Sequence, residues 1–202
     1  MVLAVASLVI ALSGTMADAG PAPSVTVREE RGVYSVSARF HVAEPPAVAI
    51  AVLTDYDNIP RFLPDVTSSV VRERSAGRAV VEQEAVSRMM MFSRKVHLVL
   101  EIVEEAGTIR FRDRCGDSFE RYEGAWVIAA SGAGSEVTYE LTAKPSFDVP
   151  EFILKRLLKR DSTRTIERLT AEMATRARVV SSWRGLTRPR TASASRTRLR
   201  SR

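Results

Sequence analysis

The chain contains 202 residues, of which 45% are hydrophobic and 27% are charged, so a buried core is possible and wholesale disorder is excluded. Ten glycines and nine prolines are too few for a collagen-like or low-complexity chain, and the single cysteine, Cys115, excludes an internal disulfide and a multi-cysteine zinc site. The formal net charge of +6 arises from residues 179–202, which hold seven arginines and no acidic residue, so residues 1–178 carry a net charge of −1.

The N-terminal segment has the pattern of an export signal. Residues 2–12 form an unbroken run of apolar and small residues. The run is too short to span a bilayer core, which requires a helix of about 20 residues. The A-x-A pattern of Ala17–Ala19 is typical of a signal peptidase site. We therefore expect residues 1–19 to be a signal peptide of an exported protein, periplasmic or secreted, and residues 20–32 to be a linker and strand lead-in. A buried helix or a lipid-facing anchor is the alternative, and without a signal peptide the protein would be cytoplasmic.

A first strand and two short helices are predicted next. Apolar and polar residues alternate over about 34–42, as in a half-buried strand. Pro46 can start a helix over the apolar residues 47–53, because proline fits the first helical turn. A second short helix over 59–63 would end at Pro64.

Six further strands follow, joined by short turns, and they predict an antiparallel meander. Each strand alternates so that its apolar row lies on the same inner face. The turn lengths predict which residues pair, because a slip of one residue would move a whole row to the opposite face. The predicted pairs are Ile102 with Phe111, Leu100 with Asp113, Glu101 with Arg112, Ile109 with Trp126, Phe111 with Gly124, Asp113 with Tyr122, Ile128 with Val137 and Trp126 with Tyr139.

A long amphipathic helix is predicted over about 150–178, since apolar residues recur there at helical spacing. Asp161 falls in the apolar stripe and is expected to pair locally with Arg164 or Arg168, a cavity-facing position being the alternative. One helix does not fill the concavity of a strongly curved sheet. The sequence therefore predicts an α+β fold in which a curved seven-stranded antiparallel sheet wraps the long helix around an internal apolar cavity, closed at one end by the short helices.

The C-terminal residues 179–202 are predicted to be a disordered basic tail, because they are rich in Arg, Ser and Thr and lack hydrophobic periodicity. Such a tail can contact nucleic acid or anionic lipid headgroups. Nucleic acid is not the expected partner, since no aromatic residue other than Trp183 is present for base stacking. A solvated tail without a specific partner is the simpler interpretation.

Three segments resemble the polyketide cyclase/dehydrase and coenzyme Q-binding family of the START-like, or SRPBCC, superfamily. They are Leu53–Val66 (LTDYDNIPRFLPDV), Gly116–Trp126 (GDSFERYEGAW) and Tyr139–Leu141, which leads into Pro150. The resemblance covers about residues 33–178 and implies a helix-grip fold with a hydrophobic cavity, that is, a START-like ligand-binding domain. Members of the superfamily include lipid and quinone carriers, aromatase/cyclases and ribosome-associated proteins. The resemblance implies no invariant catalytic triad.

The residues that usually carry catalysis or bind metals are few. The two histidines, His41 and His97, both fall in the outward phase of their strands, with no carboxylate or cysteine at ligand spacing. Cys115 is expected to be a small buried side chain, and no glycine-rich phosphate loop is present. We therefore expect no metal, no cofactor and no catalytic residue.

Several polar side chains interrupt the inner rows. An unpaired buried carboxylate is costly, and the predicted register offers Tyr122 as a hydrogen-bond partner for Asp113. The hypothesis is that this pair orients one polar group of an apolar ligand, and a structural hydrogen bond at the sheet rim is the alternative. The predicted ligand-binding residues are Phe62, Gln83, Met90, Leu100, Phe111, Asp113, Tyr122, Trp126, Tyr139 and Leu158.

Four consecutive large apolar residues, Met89–Phe92, lie where one predicted strand turns into the next. Methionine adapts its shape to varied apolar partners. One interpretation is a cavity mouth or a tip that touches a membrane surface, through which a lipid enters. The other is a bulged strand that packs beneath the long helix.

The expected function is binding or carriage of a hydrophobic small molecule, such as a lipid, a quinone or a polyketide-like compound. Apolar cavity walls and the lack of an activated nucleophile favour it. The alternative is an aromatase/cyclase-type enzyme, a cyclase or dehydratase in which Asp113 or Tyr122 would provide acid/base catalysis. A third possibility is an adaptor that associates with a ribosome or a nucleic acid through the basic tail.

Overall fold

The computed structural model describes residues 23–89 and 92–186. The predicted signal peptide of residues 1–19, Met90 and the end of the basic tail lie outside the described residues, so what the sequence predicts for them stays a prediction. Within the described ranges, no helix combines the length and the apolar character that crossing a membrane requires.

Eight strands form one antiparallel sheet. They are β1 (Ser24–Glu30), β2 (Val33–Val42), β3 (Val66–Ser75), β4 (Arg78–Met89), β5 (Phe92–Glu105), β6 (Thr108–Asp113), β7 (Phe119–Ser131) and β8 (Gly134–Pro145). The order across the sheet is β1-β2-β8-β7-β6-β5-β4-β3. Strands β3 to β8 are therefore the predicted meander, and β2 joins it by pairing with β8.

The turn lengths predicted the register of strands β5 to β8 almost completely. The pairs that the structure confirms are Ile102 with Phe111, Leu100 with Asp113, Glu101 with Arg112, Ile109 with Trp126, Phe111 with Gly124, Ile128 with Val137 and Trp126 with Tyr139. The predicted pair of Asp113 with Tyr122 is not formed. The β6–β7 ladder ends at Arg112 and Glu123, because the chain turns away immediately after Asp113.

The sheet has eight strands rather than the predicted seven, and the additional strand is β1. It lies within the segment that the sequence assigned to a linker and lead-in. Its turn to β2 places Arg31 and Gly32 at φ values of 52° and 78°, and the Gly32 amide donates to the Glu29 carboxylate at 2.7 Å. The sequence predicted a linker because this segment contains charged residues. An edge strand can carry such residues, since it buries only one face, and Val25 on that face is buried.

The helices follow the prediction closely. Helix α1 spans Pro46–Leu53 and has proline in its first turn, a 3-10 turn spans Tyr56–Asn58, and helix α2 spans Ile59–Phe62. The long helix α3 spans Glu151–Leu186, so it continues beyond the predicted end near Arg178. No proline interrupts that extension, and the helix therefore includes the beginning of the segment predicted as a tail.

The core lies between the inner face of the sheet and α3. Val36, Val81 and Val137 from three strands and Ile166 and Met173 from α3 are almost completely buried. Burial of each such side chain stabilises the fold by about 1.5–3 kcal/mol. The backbone of α3 lies close to β1, β2 and α1, and this leaves the inner faces of β5 and β6 to border the space described next.

Candidate functional site

A cavity of about 190 Å³ lies between the sheet, α3 and the short helices, and it is partly open to solvent. Its wall is mainly apolar, with Leu100 and Ile102 from β5, Ile109 from β6 and Leu169 from α3. Thr165 of α3 contributes a small polar side chain. The predicted gap between one helix and a curved sheet is therefore present.

Six of the ten predicted ligand-binding residues lie on the cavity wall: Gln83, Leu100, Phe111, Tyr122, Trp126 and Tyr139. Their role in binding stays a prediction. Phe62 and Leu158 lie elsewhere, since Phe62 is buried in the core beside the Arg176 guanidinium and Leu158 packs against the core. Met90 lies outside the described residues.

Asp113 does not make the predicted hydrogen bond with Tyr122. Its carboxylate instead accepts backbone amides from Val99 at 2.8 Å, Gly116 at 3.1 Å and Cys115 at 3.3 Å. The prediction failed because β6 ends at Asp113, so the carboxylate lies at the start of a turn in which it can accept the amides of Cys115 and Gly116. Asp113 therefore organises the β6–β7 turn and does not line the cavity.

Aromatic rings form one wall of the cavity. The rings of Trp126 and Tyr139 are stacked with centroids 4.2 Å apart and an interplanar angle of 25°. The rings of Phe111 and Tyr122 are 5.9 Å apart. Gln83 faces the same space and is held by a hydrogen bond from its amide nitrogen to Ser69 Oγ at 3.1 Å. The site thus offers flat apolar surfaces and a few fixed polar atoms.

The tyrosine phenols at the cavity are weaker acids than an ordinary tyrosine. Burial raises the pKa of Tyr122 to about 12, and the negative charge of Asp113 adds to this effect. Burial also raises the pKa of Tyr139. The hydrogen bond with Ser162 lowers this pKa, but by less than burial raises it. The pKa of Tyr56 is raised by burial and by Glu104, whose carboxylate accepts the Tyr56 hydroxyl at 2.9 Å. All three phenols are therefore neutral at physiological pH.

The short helices close one end of the cavity, as predicted. Val52 and Leu53 of α1, Tyr56 of the 3-10 turn and Ile59 of α2 contribute to the wall. The sequence predicted the two helices but not these individual residues. An isolated helix of one or two turns has no hydrophobic period long enough to indicate which side faces inward.

An ion pair fastens this end to α3. Arg176 of α3 donates to the Asp55 carboxylate at 2.7 Å and to Glu172 at 2.8 Å, and its guanidinium lies 5.7 Å from the Phe62 ring centroid. Burial alone would raise the pKa of Asp55, but the hydrogen bonds from Asn58 and Arg176 outweigh it and lower the pKa. The charged carboxylate therefore stabilises the closed end.

A second contact joins α3 to the sheet on the side of β4. Ser87 Oγ donates to Asp161 Oδ2 at 2.8 Å, and Arg160 donates to Asp161 Oδ1 at 2.9 Å. The expected local pair of Asp161 with Arg164 or Arg168 is wrong. The physical reason is tertiary: the inner face of β4 passes close enough to α3 for the serine hydroxyl to reach the carboxylate.

A separate cluster lies on the outer face of the sheet, the face opposite the cavity. His97 Nδ1 is 2.8 Å from Asp117 Oδ2 and 3.9 Å from Cys115 Sγ. The expectation that neither histidine has a cysteine or carboxylate nearby is therefore wrong for His97. The alternation of residues along the strand did not indicate this contact. Cys115 lies beyond the end of β6, in the turn between β6 and β7, so its side chain does not follow the alternation of the strand.

The family model for polyketide cyclase/dehydrase and lipid transport matches residues 34–174. No curated protein matches the chain significantly. Among solved structures, a START superfamily protein from Mycobacterium smegmatis has 16% identity and a TM-score of 0.62, covering 70% of this chain and 97% of that one.

Two further solved structures share the fold. A STAR-related lipid transfer protein from Xanthomonas axonopodis has 17% identity and a TM-score of 0.60, covering 76% of this chain and 99% of that one. The aromatase/cyclase Zhui from Streptomyces sp. R1128 has 14% identity and a TM-score of 0.62, covering 72% of this chain and 96% of that one. The match over residues 34–174 shows that the chain belongs to the polyketide cyclase/dehydrase and lipid transport family, and the solved structures show that it shares their START-like fold.

Proposed function

We propose that this protein binds and carries a hydrophobic small molecule of the lipid, quinone or polyketide-like class. The observation that carries the proposal is the apolar cavity between the sheet and α3, whose wall combines aliphatic side chains with the Trp126–Tyr139 stack. Apolar pockets with a few placed polar groups are the usual form of small-molecule sites. Gln83 and the neutral phenols of Tyr122 and Tyr139 can orient a carbonyl or hydroxyl group of such a ligand.

The size of the cavity limits what it encloses. An apolar cavity of about 150 Å³ is large enough for benzene, whereas sites for drug-sized ligands have volumes of about 300–1,000 Å³. A cavity of about 190 Å³ therefore accommodates one ring or a short chain. We accordingly propose that the apolar part of the ligand occupies the cavity and that the remainder extends through the opening.

An aromatase/cyclase-type enzyme is the second candidate, favoured by the family match and by the similarity to an aromatase/cyclase. Among the described residues, the cavity wall carries no carboxylate, imidazole or thiol. Its titratable groups are the phenols of Tyr56, Tyr122 and Tyr139, whose raised pKa values leave them protonated at neutral pH. They can donate a hydrogen bond but cannot serve as a general base, so the geometry favours binding over catalysis.

A variant that fills the cavity tests the proposal. Thr165→Trp places an indole in the space, whereas Thr175→Trp puts the same side chain on an exposed position of the same helix. We expect native mass spectrometry of the wild-type protein from its own cells to reveal a co-purified apolar compound. Occupancy should fall at least about tenfold in Thr165→Trp, since a full cavity excludes the ligand, and should be retained in Thr175→Trp.

Two outcomes would contradict the proposal. One is a wild-type protein without any bound apolar compound that also fails to bind an added hydrophobic fluorophore such as anilinonaphthalene sulfonate. The other is equal occupancy in the wild type and in a folded Thr165→Trp variant. Chemical conversion of the extracted compound on incubation with the protein would instead favour the cyclase.

A further inference from the structure

The outer-face cluster of His97, Cys115 and Asp117 has the composition of a transition-metal site. The imidazole nitrogen, the thiol sulfur and one carboxylate oxygen all lie within 4.8 Å of one another. Ligand atoms around a tetrahedral zinc ion are about 3.4–3.6 Å apart, given Zn–N, Zn–O and Zn–S bonds of about 2.0–2.3 Å. The distances of 2.8 Å and 3.9 Å from His97 Nδ1 bracket that spacing, so side-chain movements of about an ångström suffice.

The other nitrogen of His97 is held in the manner of a metal ligand. His97 Nε2 lies 3.2 Å from Glu82 Oε1, and Arg72 binds the other oxygen of that carboxylate at 2.7 Å. A carboxylate that accepts the second N–H of an imidazole fixes its tautomer and orientation, as in many zinc sites. Nδ1 then faces Cys115 and Asp117 and donates its proton to Asp117 Oδ2 at 2.8 Å, so this nitrogen can bind a metal ion once the proton leaves. The backbone amide of His97 is itself held by Ser118 Oγ at 3.0 Å.

The turn that carries the other two ligands is also pre-organised. The Asp113 carboxylate binds the amides of Cys115 and Gly116 and lies 3.2 Å from the Cys115 sulfur. Gly116 has a φ of 74°, which lets the chain bend back toward β5. Two aspartates and Glu82 give the cluster an anionic environment that favours a cation.

We propose that His97 Nδ1, the Cys115 thiolate and the Asp117 carboxylate bind a divalent zinc-type metal ion on the outer face of the sheet, with water as the fourth ligand. Mixed sulfur, nitrogen and oxygen ligands suit zinc and disfavour magnesium or calcium. Binding releases the protons of the Cys115 thiol and of His97 Nδ1 to solvent and clamps the β6–β7 turn to β5. The site lies outside the cavity, so the inference is independent of the proposed function.

The surroundings of the thiol suit a cation. A metal ion displaces the proton of a coordinating thiol directly. The carboxylates of Asp113 and Asp117 lie beside the Cys115 sulfur and attract such an ion.

The experiment uses the full chain without an affinity tag, stripped of metal by a chelator. Because Cys115 is the single cysteine, the rate of its alkylation by iodoacetamide reports on this site alone. We expect one equivalent of Zn²⁺ to slow alkylation at least about tenfold, and Co²⁺ to give the absorption bands of a thiolate complex. An unchanged alkylation rate in the presence of Zn²⁺ would overturn the proposal.

Variants identify the other ligands. His97→Gln and Asp117→Asn should lose the protection of Cys115 by Zn²⁺, whereas His41→Gln, which changes an exposed histidine on β2, should keep it. Glu82→Gln should weaken Zn²⁺ binding about 10–100-fold, as for other outer-shell partners. Protection that persists in a folded His97→Gln protein overturns the site. If that variant unfolds, Asp117→Asn decides in the same way, because Asp117 is largely exposed and its replacement should leave the fold intact.

Discussion

Gly124 is the residue that allows an aromatic ring to lie against the sheet beside the cavity. A Cβ atom at this position would overlap the carbonyl oxygen of Glu140 on β8 and lie 2.6 Å from the Cζ atom of Phe111. Phe111 pairs with Gly124 across β6 and β7, and its ring lines the cavity. The absence of a side chain on one strand thus makes room for a ring from its neighbour.

We expect Gly124→Ala to lower the free energy of unfolding by about 1–3 kcal/mol, the usual cost of an extra methyl group in a close-packed site. The clash with the Glu140 oxygen involves the backbone, so it cannot be relieved by a side-chain rotation. Urea denaturation measures the effect. Ala129→Ser, at an exposed position of the same strand, is the matched control and should change stability by less than about 0.5 kcal/mol. Equal stability of the two variants would contradict the prediction.

Asp113 illustrates that the sequence predicted the strand position of a residue but not its hydrogen-bond partners. Its place in β6, opposite Leu100, followed from the turn length and is confirmed. Its hydrogen-bond partners did not follow, because they are amides in a turn whose path is set by Gly116 and not by strand alternation. For the same reason the contact between His97 and Cys115 was missed.

The elements that close the cavity are joined by a few polar contacts at the end of α3. Arg176 connects α3 to Asp55 and also donates to the Ala51 carbonyl oxygen at 3.3 Å. Because Tyr56 and Ile59 of the closing segment line the cavity, this ion pair holds part of the cavity wall in place. Loss of the pair should loosen the closing helices before it affects the sheet.

We expect Asp55→Asn to lower the free energy of unfolding by about 1.5–3 kcal/mol at neutral pH, the range for hydrogen bonds to charged groups. The pKa of Asp55 is lowered on folding, so its contribution is complete above the ordinary value of 3.8 and is lost as the pH falls through the folded pKa. The difference between wild type and variant should therefore shrink below about pH 4. Urea denaturation across this pH range is the measurement.

Asp148→Asn provides the control for this experiment, since Asp148 is exposed in the loop before α3. It should leave the free energy of unfolding within about 0.5 kcal/mol of wild type at every pH. An Asp55→Asn protein whose stability deficit is the same at pH 7 and in acid would show that the charge of Asp55 does not carry the contact.

The strands and helices differed in how well the sequence predicted them. The meander was predicted strand by strand, because short turns and alternating rows restrict each pairing to one register. The edge strand β1 was missed, because a strand exposed on one face carries charges that resemble those of a linker. The extension of α3 to Leu186 was missed because residues 179–202 were assigned to one tail on the basis of their Arg-, Ser- and Thr-rich composition.

At the scale of the whole molecule, all four tyrosines have a raised pKa, and burial is the first cause for each. The ordinary pKa of tyrosine, which applies to the unfolded chain, is 10.0, whereas burial raises the pKa of Tyr122 in the folded protein to about 12. Their contribution to stability is therefore complete below the ordinary pKa and is lost as the pH rises through the folded values.

We expect the free energy of unfolding to fall steadily between pH 10 and 12, and the folded protein to show fewer phenolates than the unfolded chain at the same pH. Ultraviolet titration of phenolate absorbance, with and without denaturant, measures both states. In Tyr122→Phe the slope of stability against pH should be smaller, because one raised group has been removed. Superimposable titrations of the folded and unfolded protein would contradict the prediction.

The amino-acid sequence by itself determined most of the elements, the register of strands β5 to β8 and the single apolar face of the sheet. These follow from side-chain periodicity and turn length, which act over a few neighbouring residues. Only the tertiary structure decided how much space remains between α3 and the sheet, that Ser87 reaches Asp161, and that His97 meets Cys115 and Asp117. Those features depend on sheet curvature and on the paths of turns, which bring together residues that no local pattern relates.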